Sequence, residues 1–210
     1  MVWLLRYSPA DDRSPDADVV KGNWKQLGQR GQHLELEDYT PDGGGGLQYG
    51  LFEHVSGRRV KPEGIPRIVR WKSRRRPHDF EWVIFKSVSD RLRALIEEID
   101  PEIHQFERVE FISRDGNSLE HRWLWQICHR IDTIHRAKTD MVRSGLGWRN
   151  NDAIPQSERI GAVFDLSRIS DAGFWYDKYL GGGPYCSDNA RNKLLESGFS
   201  GFTFVPMKSA

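Results

Sequence analysis

Ser89-Asp90 opens a run in which Leu92, Leu95, Ile96 and Ile99 recur at i, i+3, i+4 and i+7, and Pro101 closes it. Serine is a strong N-cap, an aspartate at the first turn suits the positive helix start, and proline forbids continuation. The spacing predicts one amphipathic helix whose apolar stripe must be covered by another element. Phe106–Ile112 then reads as a strand and Asp115-Gly116 as a turn. Arg122–Cys128 follows with Trp123, Trp125 and Ile127 alternating, which predicts a strand with one buried aromatic face. A shift of 98 residues places Ser89, Asp90, Arg93, Glu98 and Phe106 on Ser187, Asp188, Arg191, Glu196 and Phe204. The same order of capped helix, break and strand therefore occurs twice, which reads either as two uses of one local solution, Ser-Asp being a good helix start, or as two related helix–strand units expected to pack on a common sheet.

The remaining segments fill in around this frame. Val2–Tyr7, Leu47–Phe52, Ile65–Trp71, Glu81–Phe85, Ile160–Leu166 and Phe202–Pro206 are apolar, β-branched or aromatic and read as strands. Asp11–Asp18, Pro41–Gly46 and Ser144–Asp152 read as loops, and Lys72–Pro77 as a basic link. Phe174–Tyr179 fits either element, Gly181–Pro184 breaks the chain, and Gly198 ends the second helix. Strands and helices are interspersed with few helices available for crossovers. The expected fold is α+β, a mixed or antiparallel sheet with a few packed helices. A strand- and loop-rich region over 1–79 is expected to join the same fold as a core over 80–207.

At 210 residues the chain can bury roughly 70% of its unfolded surface without disulfides or metal. Cys128 and Cys186 cannot make a disulfide framework, which fits a reducing, cytoplasmic setting. No apolar run approaches the roughly 20 residues of a membrane span, and Met1–Tyr7 is too short for a signal-peptide core. The net charge of +1 argues against a dedicated nucleic-acid binder. It hides blocks of opposite sign: Arg58–Arg76 carries nine Lys/Arg and one acidic residue, whereas Asp90–Glu110 carries seven acidic and three basic. Such blocks either neutralise one another in the fold or form a polar interface that steers a charged partner. Arg74-Arg75-Arg76 offers phosphate contacts, but the run is short and has no RNA-binding aromatic motif.

No motif commits the chain to catalysis. His129, Asp132 and His135, near His121, have the spacing of one helical face, but Arg130 and Arg136 beside them oppose a bound cation. Gly43–Gly46 lacks the Lys-Ser/Thr of a phosphate loop, and neither Ser144 nor Ser197 lies in a nucleophile elbow. Cys128 reads as a small buried thiol. Cys186, just before a helix start where a thiolate can be stabilised, reads as structural. The expectation is no catalytic residue, no metal and no cofactor.

Ser89-Asp90 with Leu92, Leu95 and Ile96, then Pro101, His104-Gln105-Phe106, Val109, Asp115-Gly116, Trp125-Gln126-Ile127 and Asp132, resembles the core pattern of a bacterial immunity-protein family. That family was formerly catalogued as a domain of unknown function. It is typified by an immunity protein from Myxococcus and occurs in polymorphic-toxin loci. Its closing pattern is similar to Ser187-Asp188 and Gly201–Pro206, so the resemblance covers about residues 80–207. It implies a non-enzymatic, cytoplasmic inhibitor that binds a toxin encoded beside it, in stoichiometric fashion, during competition between bacteria. The toxin would be of nuclease type, delivered by a contact-dependent or type VI secretion route. No membrane contact and no direct nucleic-acid contact are implied. The acidic stretch Glu97, Glu98, Glu102 and Glu107, with Asp11 and Asp12, is the expected partner-contact surface. Two other classes stay open: an enzyme that reverses a toxin's modification, and a nucleic-acid adaptor using Arg58–Arg76.

Overall fold

The computed structural model describes residues 1–8, 16–21, 37–38, 40, 42–43, 56–82 and 85–210. In chain order the elements are β1 (Val2–Tyr7), β2 (Ala17–Lys21), β3 (Ile68–Trp71), β4 (Phe80–Trp82), β5 (Lys86–Val88), α1 (Asp90–Ile99), β6 (Gln105–Ile112) and β7 (Ser118–Gln126). There follow β8 (Arg130–Ile131), β9 (Val142–Ser144), β10 (Gly147–Arg149), α2 (Leu166–Ile169), β11 (Phe174–Asp177), β12 (Tyr185–Ser187), α3 (Asp188–Glu196) and β13 (Phe202–Met207). The fold is mixed α+β. One sheet has the order β2-β3-β6-β7-β5-β4, a second the order β13-β1-β12-β11-β8, and β9 and β10 form a separate hairpin. Most pairs are antiparallel; β3–β6 and β8–β11 are parallel.

The two helices form where their caps predict. The Ser89 hydroxyl accepts from Leu92 N–H and the Ser187 hydroxyl from Ala190 N–H. Gly198 follows the end of α3 at φ +67°, a conformation that suits glycine. The helix–strand units sit on two sheets rather than on the common sheet expected, yet their equivalence runs further than the sequence indicates. In the first, Val88 pairs with Trp123 and Ser87 with Leu124; in the second, Cys186 pairs with Trp3 and Tyr185 with Leu4. Phe106, Glu107 and Arg108 pair with Trp125, Leu124 and Trp123, as Phe204, Val205 and Pro206 pair with Leu5, Leu4 and Trp3. Phe80 pairs with Val88 and Phe174 with Cys186. Strands β4, β5, β6 and β7 thus correspond to β11, β12, β13 and β1. The first unit is continuous, whereas the second takes its last strand from the other end of the chain.

The central hydrophobic cluster is assembled from these equivalents: Phe80 with Phe174, Val88 with Cys186, Leu92 with Ala190, Ile96 with Leu194, and Trp125 with Leu5. A second cluster (Val60, Ile65, Val69, Trp71, Phe85, Val109, Phe111, Leu124) joins side chains of the six-stranded sheet to Val60, Ile65 and Phe85 outside it, and a third (Val2, Ile134, Phe164, Ile169, Ala172, Trp175, Tyr185) joins Val2, Trp175 and Tyr185 of the five-stranded sheet to α2 and flanking segments. Polar clamps tie the units together. The Asp100 carboxylate accepts from the backbone N–H groups of Gly173 and Phe174, each at 2.8 Å, and lies 3.0 Å from His104 Nε2. His104 Nδ1 accepts from Cys128 N–H, so Nε2 is the nitrogen that donates to Asp100. Burial alone raises the Asp100 pKa, but these donors outweigh it and hold the carboxyl below its ordinary range.

Several expectations are corrected. The second half of β7 is buried on both faces: Arg122, Leu124 and Gln126 are covered as well as Trp125, while Trp123 is half-buried, because Trp125 packs into the central cluster and Leu124 into a second one. Glu81–Phe85 is not one strand; β4 ends at Trp82 and β5 begins at Lys86. Ala17 and Asp18 belong to β2, not to a loop, and Ala17 and Val19 pack on the second cluster. Ser144–Asp152 contains β10 and the turn of a hairpin. Ile160–Asp165 is irregular and Leu166 opens α2, with Phe164 making isolated bridges to Ile134 and Ser209. Its first amides turn to a side chain instead of a strand: the Asp140 carboxylate accepts from Ile160 and Gly161 N–H. Leu47–Phe52 lies outside the described residues, as does all of Pro41–Gly46 except Asp42 and Gly43.

Candidate partner-binding surface

Two regions of opposite charge are built differently. On the acidic side, Glu97 and Glu98 are exposed on α1. Glu97 is held by Arg93 at 3.0 Å, and Glu98 by Lys193 of α3 at 2.6 Å. Glu102 follows the helix in left-handed backbone (φ 61°), exposed, and its carbonyl accepts from Arg59. Glu107, half-buried on β6, pairs with Arg67 at 3.3 Å. Glu97 and Glu98 thus lie on α1, Glu102 just after it and Glu107 on β6, and three of the four carboxylates are already matched by cations. Asp11 and Asp12 lie outside the described residues.

On the basic side, the Lys72–Pro77 link leaves β3 and meets the turn between β6 and β7. Together they enclose a cleft of about 410 Å³ lined by Trp71, Arg74, Arg76, Arg114 and Leu119, among others. The middle arginine of the run is turned inward. Arg75 forms an ion pair with Glu81, which is 0% exposed, and Arg75 Nη2 also donates to Glu81 Oε2 (3.1 Å) and to the Tyr7 hydroxyl (3.1 Å). The Tyr7 hydroxyl donates to Glu81 Oε2 at 2.6 Å, and His78 N–H donates to Glu81 Oε1 at 2.6 Å. Burial and the neighbouring carboxylate push the Tyr7 hydroxyl far above its ordinary pKa. The Arg75 guanidinium lies 5.0 Å from the centre of the Trp71 ring, and Trp71 Nε1–H donates to the Arg75 carbonyl at 2.7 Å. Arg74 and Arg76 remain exposed. Nothing in the run of three arginines distinguishes the inward one; Glu81, six residues on, is the only sequence signal for it.

The side chains weighed for chemistry are placed as follows. Arg130 and Ile131 form a strand, so His129, Asp132 and His135 do not share a helical face, and Asp132 pairs with Arg136 and Arg168. Among the described residues no three His, Cys, Asp or Glu side chains gather as a metal site. Burial pushes the Cys128 thiol up to about 11, and Cys186 is fully buried with its thiol raised further. At neutral pH both are protonated, the form that is not nucleophilic. A second cleft of about 410 Å³ includes Cys128 with Asp38, Asp42, Arg58 and Arg59, and Arg58 already pairs with Asp38 and Asp42.

The profile of the immunity protein family Imm11 matches residues 9–209. The chain belongs to this family. The match starts well ahead of the 80–207 segment whose motifs carry the resemblance and takes in β2 and β3, so the family pattern spans all six strands of the six-stranded sheet. No curated protein matches the chain. Membership gives the immunity protein a general protective, binding role with a cognate toxin as its partner. No described helix is long and apolar enough to cross a membrane.

Proposed function

We propose that this immunity protein neutralises a cognate secreted toxin, encoded beside it, by forming a stoichiometric complex that covers the toxin's active site or substrate groove. The carrying observation is the family match over 9–209. The chemistry of the side chains supports it: both thiols are held protonated, Cys186 fully buried and Cys128 partly so, and the His129/Asp132/His135 set is dispersed into strand and ion pairs. An inhibitor of this kind needs shape fit, aromatic and arginine anchors and complementary charge, without a reacting centre. The protein acts in the cytoplasm on a nuclease-type toxin that arrives through a contact-dependent or type VI route. The acidic residues Glu97, Glu98, Glu102 and Glu107, with Asp11 and Asp12, steer the approach to the toxin's basic groove. Co-expression with the product of the adjoining gene tests the proposal. Growth is restored, and the two proteins co-purify at a fixed ratio. Absence of a complex, or rescue at amounts far below those of the toxin, overturns it.

A further inference from the structure

We propose that the cleft between the Lys72–Pro77 link and the Ser113–Leu119 turn docks an acidic, extended segment of the toxin. The inference rests on the immunity reading for the identity of the partner; the chemistry of the cleft stands on its own geometry.

Uncompensated charge distinguishes this cleft from the acidic surface. Arg74, Arg76 and Arg114 line it and are exposed, and among the described residues none of the three enters an ion pair. The neighbouring cations are already used: Lys72 by Asp18 at 2.5 Å and Asp16 at 3.7 Å, Arg75 by Glu81, and Arg122 by Glu120 at 2.6 Å. Arg114 donates from Nε to the Lys72 carbonyl at 2.9 Å, which fixes its side chain across the mouth of the cleft. Its two terminal nitrogens have no recorded hydrogen bond among the described residues.

The geometry is prepared in advance. Three consecutive arginines repel one another, and a free loop carrying them would lose much of its binding energy to ordering. Here Arg75 is anchored on a fully buried carboxylate, between Tyr7 and Trp71. Taking that pair out of water is costly and is weak evidence for stability. Its structural result is that the link is pinned while Arg74 and Arg76 stay at the surface. The Asp16 backbone braces the same link, its N–H donating to the Ser73 hydroxyl at 3.1 Å.

Cleft composition selects a polypeptide over a nucleic acid. Leu119 is 48% exposed at the rim, next to Pro77, and offers an apolar seat. Asp115 lines the same cleft, with no ion pair among the described residues, and opposes a continuous phosphate backbone running past it. A segment with carboxylates on either side of one apolar residue satisfies both features: carboxylates take the planar guanidinium forks and the apolar side chain covers Leu119.

The test is calorimetric titration of the adjoining gene's product with three proteins: the native chain, the triple variant Arg74→Glu/Arg76→Glu/Arg114→Glu, and its milder counterpart Arg74→Gln/Arg76→Gln/Arg114→Gln. All three substituted side chains are exposed, and thermal melting verifies that both variants fold. The expected result is affinity reduced about a hundredfold or more by reversal and about tenfold by neutralisation, with a shallower salt dependence in both. Unchanged affinity and salt dependence, while the native chain still forms its complex, overturns the docking surface and leaves the immunity reading standing. Absence of any native complex overturns the immunity reading itself. Steeply salt-dependent binding of short duplex DNA or RNA by the native protein, abolished in the triple variant, overturns the choice of a polypeptide occupant.

Discussion

The α1 unit and the α3 unit solve one packing problem with chains threaded differently. In both, the aspartate that opens the helix accepts from a tryptophan indole: Asp90 from Trp123 at 2.6 Å, Asp188 from Trp3 at 2.8 Å. In both, the arginine one turn later lies over that ring, Arg93 at 3.8 Å and Arg191 at 4.1 Å, and also over a phenylalanine, Phe106 or Phe204. The difference is the origin of the tryptophan. Trp123 is on the strand directly after the turn, whereas Trp3 is brought from the far end of the sequence. The strand register is the same in both, so the packing depends on which side chains meet and not on the order in which the chain supplies them.

The comparison is broken most severely by removing β1. Deletion of residues 1–8 takes the interior strand out of the five-stranded sheet and leaves β12 and β13 unpaired with each other; we expect loss of cooperative melting and aggregation. Val2 pairs directly with Met207, so the ends of β1 and β13 already lie side by side. A circular permutant with a short Gly/Ser linker from Ala210 to Met1, opened between residues 8 and 16, makes the second unit continuous like the first. It is expected to melt within a few degrees of the native chain.

A finer comparison uses the equivalent core side chains. Ile96→Ala and Leu194→Ala each remove a fully covered residue from the shared cluster, and each is expected to cost about 2–5 kcal/mol by urea unfolding. A clearly smaller cost for Leu194→Ala would show that the second unit packs more loosely.

The units differ at Lys86, whose counterpart by the 98-residue shift is Pro184. Lys86 is buried, with Nζ 4.4 Å from the centre of the Trp82 ring and 5.3 Å from that of Tyr176. Burial lowers its pKa to about 7. Between there and the free-lysine value the unfolded chain holds the extra proton, so stability rises with pH across that window and levels off at its lower value below about 7, where both states are protonated. Lys86→Met is expected to raise the melting temperature at pH 7 and to flatten this rise. A steeper pH dependence in the variant would contradict the assignment.

The smallest effect belongs to the caps. Ser187→Ala is expected to cost about 1 kcal/mol, because it removes one hydroxyl acceptor from a helix start. Ser89→Ala is expected to cost more by urea unfolding, because it also removes the hydroxyl's donation to Asp79 at 2.8 Å, and equal costs would show that this second bond adds nothing.

Elements governed by local chemistry were legible in the sequence. Ser89, Ser187, Pro101 and Gly198 mark the ends of α1 and α3 because capping and chain breaking act over a few residues. The 98-residue shift indicated the repeat but could not show β1 as its missing strand, since nothing in Val2–Tyr7 specifies a partner so distant in sequence. Ile160–Leu166 has strand composition, yet Asp140 captures its amides, a long-range choice invisible in the segment itself. At the surface, acidic residues were recognisable as charges. Which of them are neutralised depends on Arg93, Lys193 and Arg67, and Lys193 comes from the other unit. The inward turn of Arg75 was equally hidden, because all three arginines of the run are chemically identical.

The placement of β1 governs the order of events on the ribosome. Its apolar stretch is synthesised long before β12 and β13, which flank it. At about 5–20 residues per second the nascent strand waits roughly 10–40 s for its neighbours. The second unit therefore cannot close until β13 has left the exit tunnel. A translation product that stops before β12 would lack both strands that flank β1, which places a premium on chaperone shielding of Val2–Tyr7 during translation.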